Sequence, residues 1–201
     1  MPARTLVLAS GSPARLKLLR EAGIYPVVTV SGVDEDDIDP ADTAGSVVRL
    51  AAAKAEAVAR PDGDALVVGC DSMLEFDGRP HGKPTSVEEA RSWLTAMRGR
   101  DAVLFTGHCV IDETTGKRAQ AVVGTTVRFG VTTDAELDSY LALPDALEAA
   151  GAFTLDGRSA PFVNGIVGDP GNVIGLSLPA LRSLLGDLGV AITDLWRDGS
   201  P

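Results

Sequence analysis

The stretch AVLFTGHCVIDETTGKRAQAVVGTTVRF, residues 102–129, decides the fold class. Its two halves, residues 102–111 and 118–129, read as long strands, and the ETTGK between them reads as a hairpin turn. A hairpin joins antiparallel neighbours. Helical and extended patterns otherwise interleave along the chain, as they do around parallel sheets, so a long hairpin inside that alternation predicts a mixed α/β domain.

Upstream of the hairpin, residues 66–70 form a nearly pure apolar strand ending at Asp71, and residues 72–76 continue it into an Asp77-Gly78 turn. Residues 80–85, PHGKPT, read as a loop. Ser86 and Glu89 have the spacing of a capping box, ahead of a helix whose Ala90, Trp93, Leu94 and Met97 share one face. Nearer the start, residues 6–9 are a short buried strand and residues 13–22 a helix closed by Gly23. Residues 26–30 are a second short strand. Thr43 or Asp42 caps a helix over residues 44–59. Downstream, a helix starts at Asp134 and runs towards Leu141, residues 151–175 are Gly-rich with short apolar pieces, and a last helix covers residues 179–188. No repeat or linker divides the chain, so a single domain over residues 1–201 is expected.

Composition bounds the partners. The 201 residues are 45% hydrophobic and 23% charged, as in a soluble globular protein with a sizeable core. The formal charge of -10 argues against a nucleic acid polymer, because phosphate neutralisation needs clustered Lys and Arg. A small anion held by a few cations in one cleft is compatible with it. Neither a signal-peptide pattern nor an apolar run of membrane-spanning length is visible, so no membrane partner and a cytoplasmic location are expected. The two cysteines, Cys70 and Cys109, each sit in an apolar run and read as buried thiols.

Several residues stand out chemically. Ser12 and Pro13 specify a helix start, yet the capping-box position is Arg15, a cation at the positive end of a helix, which costs about 0.5 kcal/mol. An anion bound by Ser10, Gly11, Ser12 and Arg15 would explain it; an outward Arg15 beside Lys17 and Arg20 is the alternative. Lys54 falls near the centre of the apolar stripe Val47, Leu50, Ala51, Ala55 and Val58, where it must either snorkel or meet an anion. Asp71 stands at the end of LVVGC, where α/β folds present catalytic groups and where turn-capping Asp is also common. Lys83, between Gly82 and Pro84, is in a shaped loop. The run VDEDDIDPAD carries six acids in ten residues and reads mostly as a solvated loop. Neither a P-loop nor GxGxxG nor a zinc-ligand spacing is present. Lysines, an arginine, a Ser-rich turn and acids together suit a metal-bound polyphosphate.

ASGSPAR, VDED, VVRLAAAKA, VVGCDSML, HGKP, LFTGHCVI, AGAFTLDG and NVIGLSLP, in that order and spacing, resemble the blocks of the Maf family of nucleoside triphosphate pyrophosphatases. The resemblance spans nearly the whole chain. It implies a mixed, strongly twisted sheet with helices around a deep cleft, similar to inosine triphosphate pyrophosphatases. It also implies hydrolysis of a nucleoside triphosphate between the α- and β-phosphates, a divalent cation such as Mg²⁺ or Mn²⁺, and a homodimer. Asp71 matches the family's proton acceptor. Ser10, Arg15, Lys54 and Lys83 match phosphate-handling positions, with Ser12 in the same turn. Glu35, beside Asp34, matches the acidic pair implicated in metal binding or catalysis, so the implied metal ligands are Glu35 and Asp71. Family members selective for dTTP and UTP choose their base with an Arg, a Thr and a Gln where this chain has Ala14, Ser72 and Asp156. The family is also linked to arrest of cell division, which makes a septum-formation regulator the alternative.

Overall fold

The computed structural model describes residues 4–35, 38–144 and 146–197. Its sheet contains β1 (Leu6–Leu8), β2 (Val27–Val28), β3 (Leu66–Phe76), β4 (Arg79–His81), β5 (Asp101–Asp112), β6 (Lys117–Phe129) and β7 (Val163–Val167). The order is β2-β1-β3-β5-β6-β7, with β4 also on β3. β2, β1 and β3 are parallel, whereas β3, β5, β6 and β7 run antiparallel through the hairpin at residues 113–116. The sheet is therefore mixed, as the hairpin requires.

Three departures concern short elements. The segment read as a loop at residues 80–85 begins as β4, because Asp77 and Gly78 both take positive φ (50° and 69°), the geometry of a tight type I′ turn. The Gly-rich segment contains β7 and a short helix, α5 (Pro170–Ile174), which its few apolar residues did not advertise. The strand expected at residues 26–30 pairs only over Val27–Val28.

The remaining helices are α1 (Pro13–Glu21), α2 (Thr43–Val58), α3 (Val87–Met97), α4 (Asp134–Leu141) and α6 (Leu178–Asp187). Of the capping box read at α3, half forms: Ser86 Oγ accepts from the Glu89 N–H, while the Glu89 carboxylate reaches Thr85 instead. The complete box lies at α4, between Thr133 and Glu136.

Packing splits one face of the sheet in two. Leu66, Val68 and Cys70 of β3 join α1 and α6 in one core, and Leu74 and Phe76 join α3 and α4 in another. Between them, on the same face, lies the polar residue Ser72, paired in register with Thr106 of β5. On the opposite face α2 lies on β3 and β5 where Gly69 and Gly107 remove side chains. A Cβ at Gly69 would fall 2.1 Å from the Ala51 carbonyl oxygen, and one at Gly107 2.1 Å from that of Val47. Both cysteines are buried and unbonded to each other, and burial pushes both thiols up to about 11. No helix among the described residues is long and apolar enough to cross a membrane.

His108 of β5 is 1% exposed, and its Nε2 accepts the Ser177 N–H that opens α6, at 2.9 Å. Burial first, and then the Arg15 charge, lower its pKa to about 4 from 6.5. Between those values the unfolded chain binds the extra proton, so stability falls as pH drops through this window. We expect a loss of about 3 kcal/mol from this residue between pH 7 and pH 4, and a flatter urea-midpoint profile in His108→Gln. Identical pH profiles in the two proteins would remove His108 as the cause.

Candidate active site

β1 pairs with β3 only over residues 66–68, and β4 joins the same edge of β3 only from Leu74. Between these contacts the edge of β3 is left without a strand partner over residues 69–73. The chain leaving β1 turns away there through Ser10, Gly11 and Ser12 into α1. Because the neighbouring strand has ended, Asp71 and Ser72, which point to opposite faces of β3, both line one opening. The result is a cavity of about 990 Å³, within the range of small-molecule sites.

From the α2 side comes Lys54. It is 4% exposed, and its Nζ lies 2.6 Å from Asp71 Oδ1 and 2.6 Å from Glu35 Oε1. Snorkelling is therefore excluded. The glycines at 69 and 107 explain why: only a helix backbone in contact with the sheet brings Lys54 down to Asp71, two residues beyond Gly69. Burial alone would raise the Glu35 pKa. The Lys54 hydrogen bond and the charges of Lys54, Lys83 and Arg15 outweigh it, and the carboxyl ends below its ordinary value. Asp71 Oδ2 has no hydrogen-bond partner among the described residues.

From the other side comes Arg15, 9% exposed and turned into the fold, which overturns the outward alternative. Its Nε donates to the Gly175 carbonyl at 2.8 Å, Nη1 to Ser10 Oγ at 3.0 Å and Nη2 to Ser72 Oγ at 3.1 Å. All three acceptors are neutral. Among the described residues Arg15 has no carboxylate within ion-pair distance, so its buried positive charge is met only through space, by Glu35 of the same cavity. Ser12 caps α1 through Oγ, accepting the Arg15 N–H at 3.4 Å. Lys83 lines the cavity with its side chain exposed.

Most expected positions thus converge: Ser10, Ser12, Arg15, Glu35, Lys54, Asp71, Ser72 and Lys83 all line the cavity, as does Ala14. Asp156 does not. Its carboxylate accepts from Thr154 Oγ1 at 2.5 Å and sits 3.8 Å from Lys17, leaving Thr154 as the lining residue. Asp36 and Asp37 of the acidic run lie outside the described residues. Sequence reasoning missed Glu148 on the cavity wall and the Thr106–Asn172 pair beneath Ser72. A threonine beside a glycine in the middle of an apolar strand was the available signal for the latter.

Comparison with known proteins identifies the family. A family profile described as Maf-like protein matches residues 5–188. A Streptomyces coelicolor protein named nucleoside triphosphate pyrophosphatase is 57% identical over 197 residues, 97% of this chain and 96% of that protein. Proteins of the same name from Streptomyces avermitilis (56%; 97% and 96% covered) and Salinispora tropica (51%; 97% and 88% covered) are similar over comparable lengths. With a family profile matched over residues 5–188 and relatives similar over nearly the full length, the chain belongs to the Maf-like protein family.

Proposed function

We propose that the protein is a nucleoside triphosphate pyrophosphatase, which splits the bond between the α- and β-phosphates to give a nucleoside monophosphate and pyrophosphate. One observation carries the reading: a carboxylate fixed by a buried lysine shares a cavity with a buried arginine that has only neutral partners. Asp71 Oδ1 is held by Lys54, so Oδ2 is the oxygen available to take a proton from the attacking water. Arg15 is placed to hold the phosphates in substrate and transition state alike, and Lys83 to meet negative charge as the bridging oxygen leaves with pyrophosphate.

The donor set also fits a divalent cation. Lys54 Nζ takes one oxygen from Glu35 and one from Asp71, so two carboxylates lie together on a single ammonium, each with a second oxygen not bonded to it. No group of three or more metal-binding side chains occurs among the described residues. Glu35 and Asp71, the latter through Oδ1, would therefore supply the protein ligands and the triphosphate the rest, the pattern Mg²⁺ favours, and Oδ2 would stay open for the proton. When bound, such an ion would offset phosphate charge and acidify water.

A panel of standard and modified nucleoside triphosphates, each with Mg²⁺, Mn²⁺ or Co²⁺, tests the proposal. Pyrophosphate release that stops on chelation is expected, and release of phosphate with no pyrophosphate overturns it. Because Ala14 and Ser72 line the cavity in place of the Arg and Thr of dTTP- and UTP-selective relatives, the panel must extend beyond pyrimidines.

A further inference from the structure

The polar seam beneath the cavity contains a chain of hydroxyls whose direction is fixed by its two ends. Arg15 Nη2 can only donate, so Ser72 Oγ accepts from it at 3.1 Å. At the other end the Asn172 carbonyl can only accept, so the Thr106 hydroxyl proton points to it at 2.9 Å. Ser72 Oγ and Thr106 Oγ1 are 2.9 Å apart, and with the Thr106 proton committed, the proton between them must come from Ser72. The order is therefore Arg15 to Ser72 to Thr106 to the backbone of α5.

The far end is itself held. Asn172 Nδ2 donates to the Leu104 carbonyl and to Thr125 Oγ1, both at 3.1 Å, tying α5 to β5 and β6. The segment after α5 also supplies the Gly175 carbonyl that takes Arg15 Nε. Gly175 has φ 129°, and a Cβ there would lie 3.2 Å from that nitrogen. Thr106 and Thr125 are fully buried, while Ser72 is half-buried at the cavity.

We propose that Thr106, which is absent from the cavity lining, is a positioning residue for Arg15. By accepting the Ser72 hydroxyl's hydrogen bond it turns a Ser72 lone pair to the guanidinium and sets the plane in which Arg15 meets a phosphate. The proposal rests on the triphosphate reading of the cavity. A fork of N–H groups binds phosphate well only at one orientation, so a loosened Arg15 loses ground-state and transition-state binding alike and appears in KM.

The test compares Thr106→Val, Thr106→Ser, Ser72→Ala and the Thr106→Val/Ser72→Ala double variant, using the nucleoside triphosphate that the wild type turns over fastest. Thr106→Val is expected to raise KM about tenfold with kcat within about twofold, the size of one lost hydrogen bond. Thr106→Ser keeps the hydroxyl and should restore KM. The double variant should be no worse than Ser72→Ala, because the chain is already cut. The Asn172 carbonyl keeps the Gly175 N–H at 3.1 Å, so the valine leaves no orphaned carbonyl. Should Thr106→Val still fail to fold, Thr106→Ala takes its place with the same expected rise. Thr106→Ser as impaired as Thr106→Val, or effects that multiply in the double variant, would overturn the proposal. A wild type that releases no pyrophosphate overturns the functional reading instead. The chain is then judged by affinity for inorganic triphosphate in titration calorimetry, where the same order of variants is expected and equal affinities refute it.

Discussion

Asp71→Asn is expected to lower pyrophosphate release by about 10³-fold while leaving the protein folded. The amide keeps the shape of the carboxylate, and its oxygen can still accept from Lys54 Nζ, so packing around α2 has no reason to change. What disappears is the capacity of the second oxygen to take a proton. Glu35 is a poor substitute, because its side chain is 59% exposed and the surrounding cations hold its carboxyl below the ordinary value, which weakens it as a proton acceptor. The loss should therefore appear in kcat across the whole accessible pH range and not as a shifted optimum. A variant that retains more than about a tenth of wild-type turnover would move the proton acceptor elsewhere in the cavity.

Gly107→Ala should produce the largest change in stability, about 3 kcal/mol, and take activity with it. The added methyl would sit 2.1 Å from a backbone oxygen of α2, which has no rotamer to escape into. Relief requires α2 to rise from the sheet, and that lifts Lys54 from Asp71 and Glu35, stranding a buried carboxylate. Urea unfolding should show a lower midpoint with an unchanged slope, and pyrophosphate release should fall in folded protein well below the transition. An alanine protein with a wild-type midpoint would show that helix–sheet contact is not what sets the lysine in place.

The two effects differ in how legible they were in the sequence. Asp71, Lys54 and Arg15 announce themselves because each breaks a local rule: an acid ends an apolar strand, a lysine sits in an apolar stripe, and a cation opens a helix. The hairpin that mixes the sheet was equally plain, since its turn and strand lengths are local. The width of the cavity was not, because it depends on where β1 and β4 stop along β3, and pairing register is a property of three segments at once. Gly69 and Gly107 were silent for the same reason: a missing side chain signals close approach without saying what approaches. The place of Asp156 off the cavity wall was not legible either, because a resemblance transfers position in the chain, whereas contacts with Thr154 and Lys17 hold that carboxylate in space.

The unpaired edge of β3 also separates what the protein can change from what it must keep. The opening is made by strand lengths, and the groups at its floor stand on β3 and on the helix pressed against it. The rim is contributed by Ala14 of α1 and by Glu148 and Thr154, none of which pairs with β3. Exchanges at the rim would change the shape of the opening without touching a residue paired with β3. Ser72 is where the two meet: it stands on β3 and accepts from Arg15 Nη2, so a change there would reshape the opening and the anion site at once.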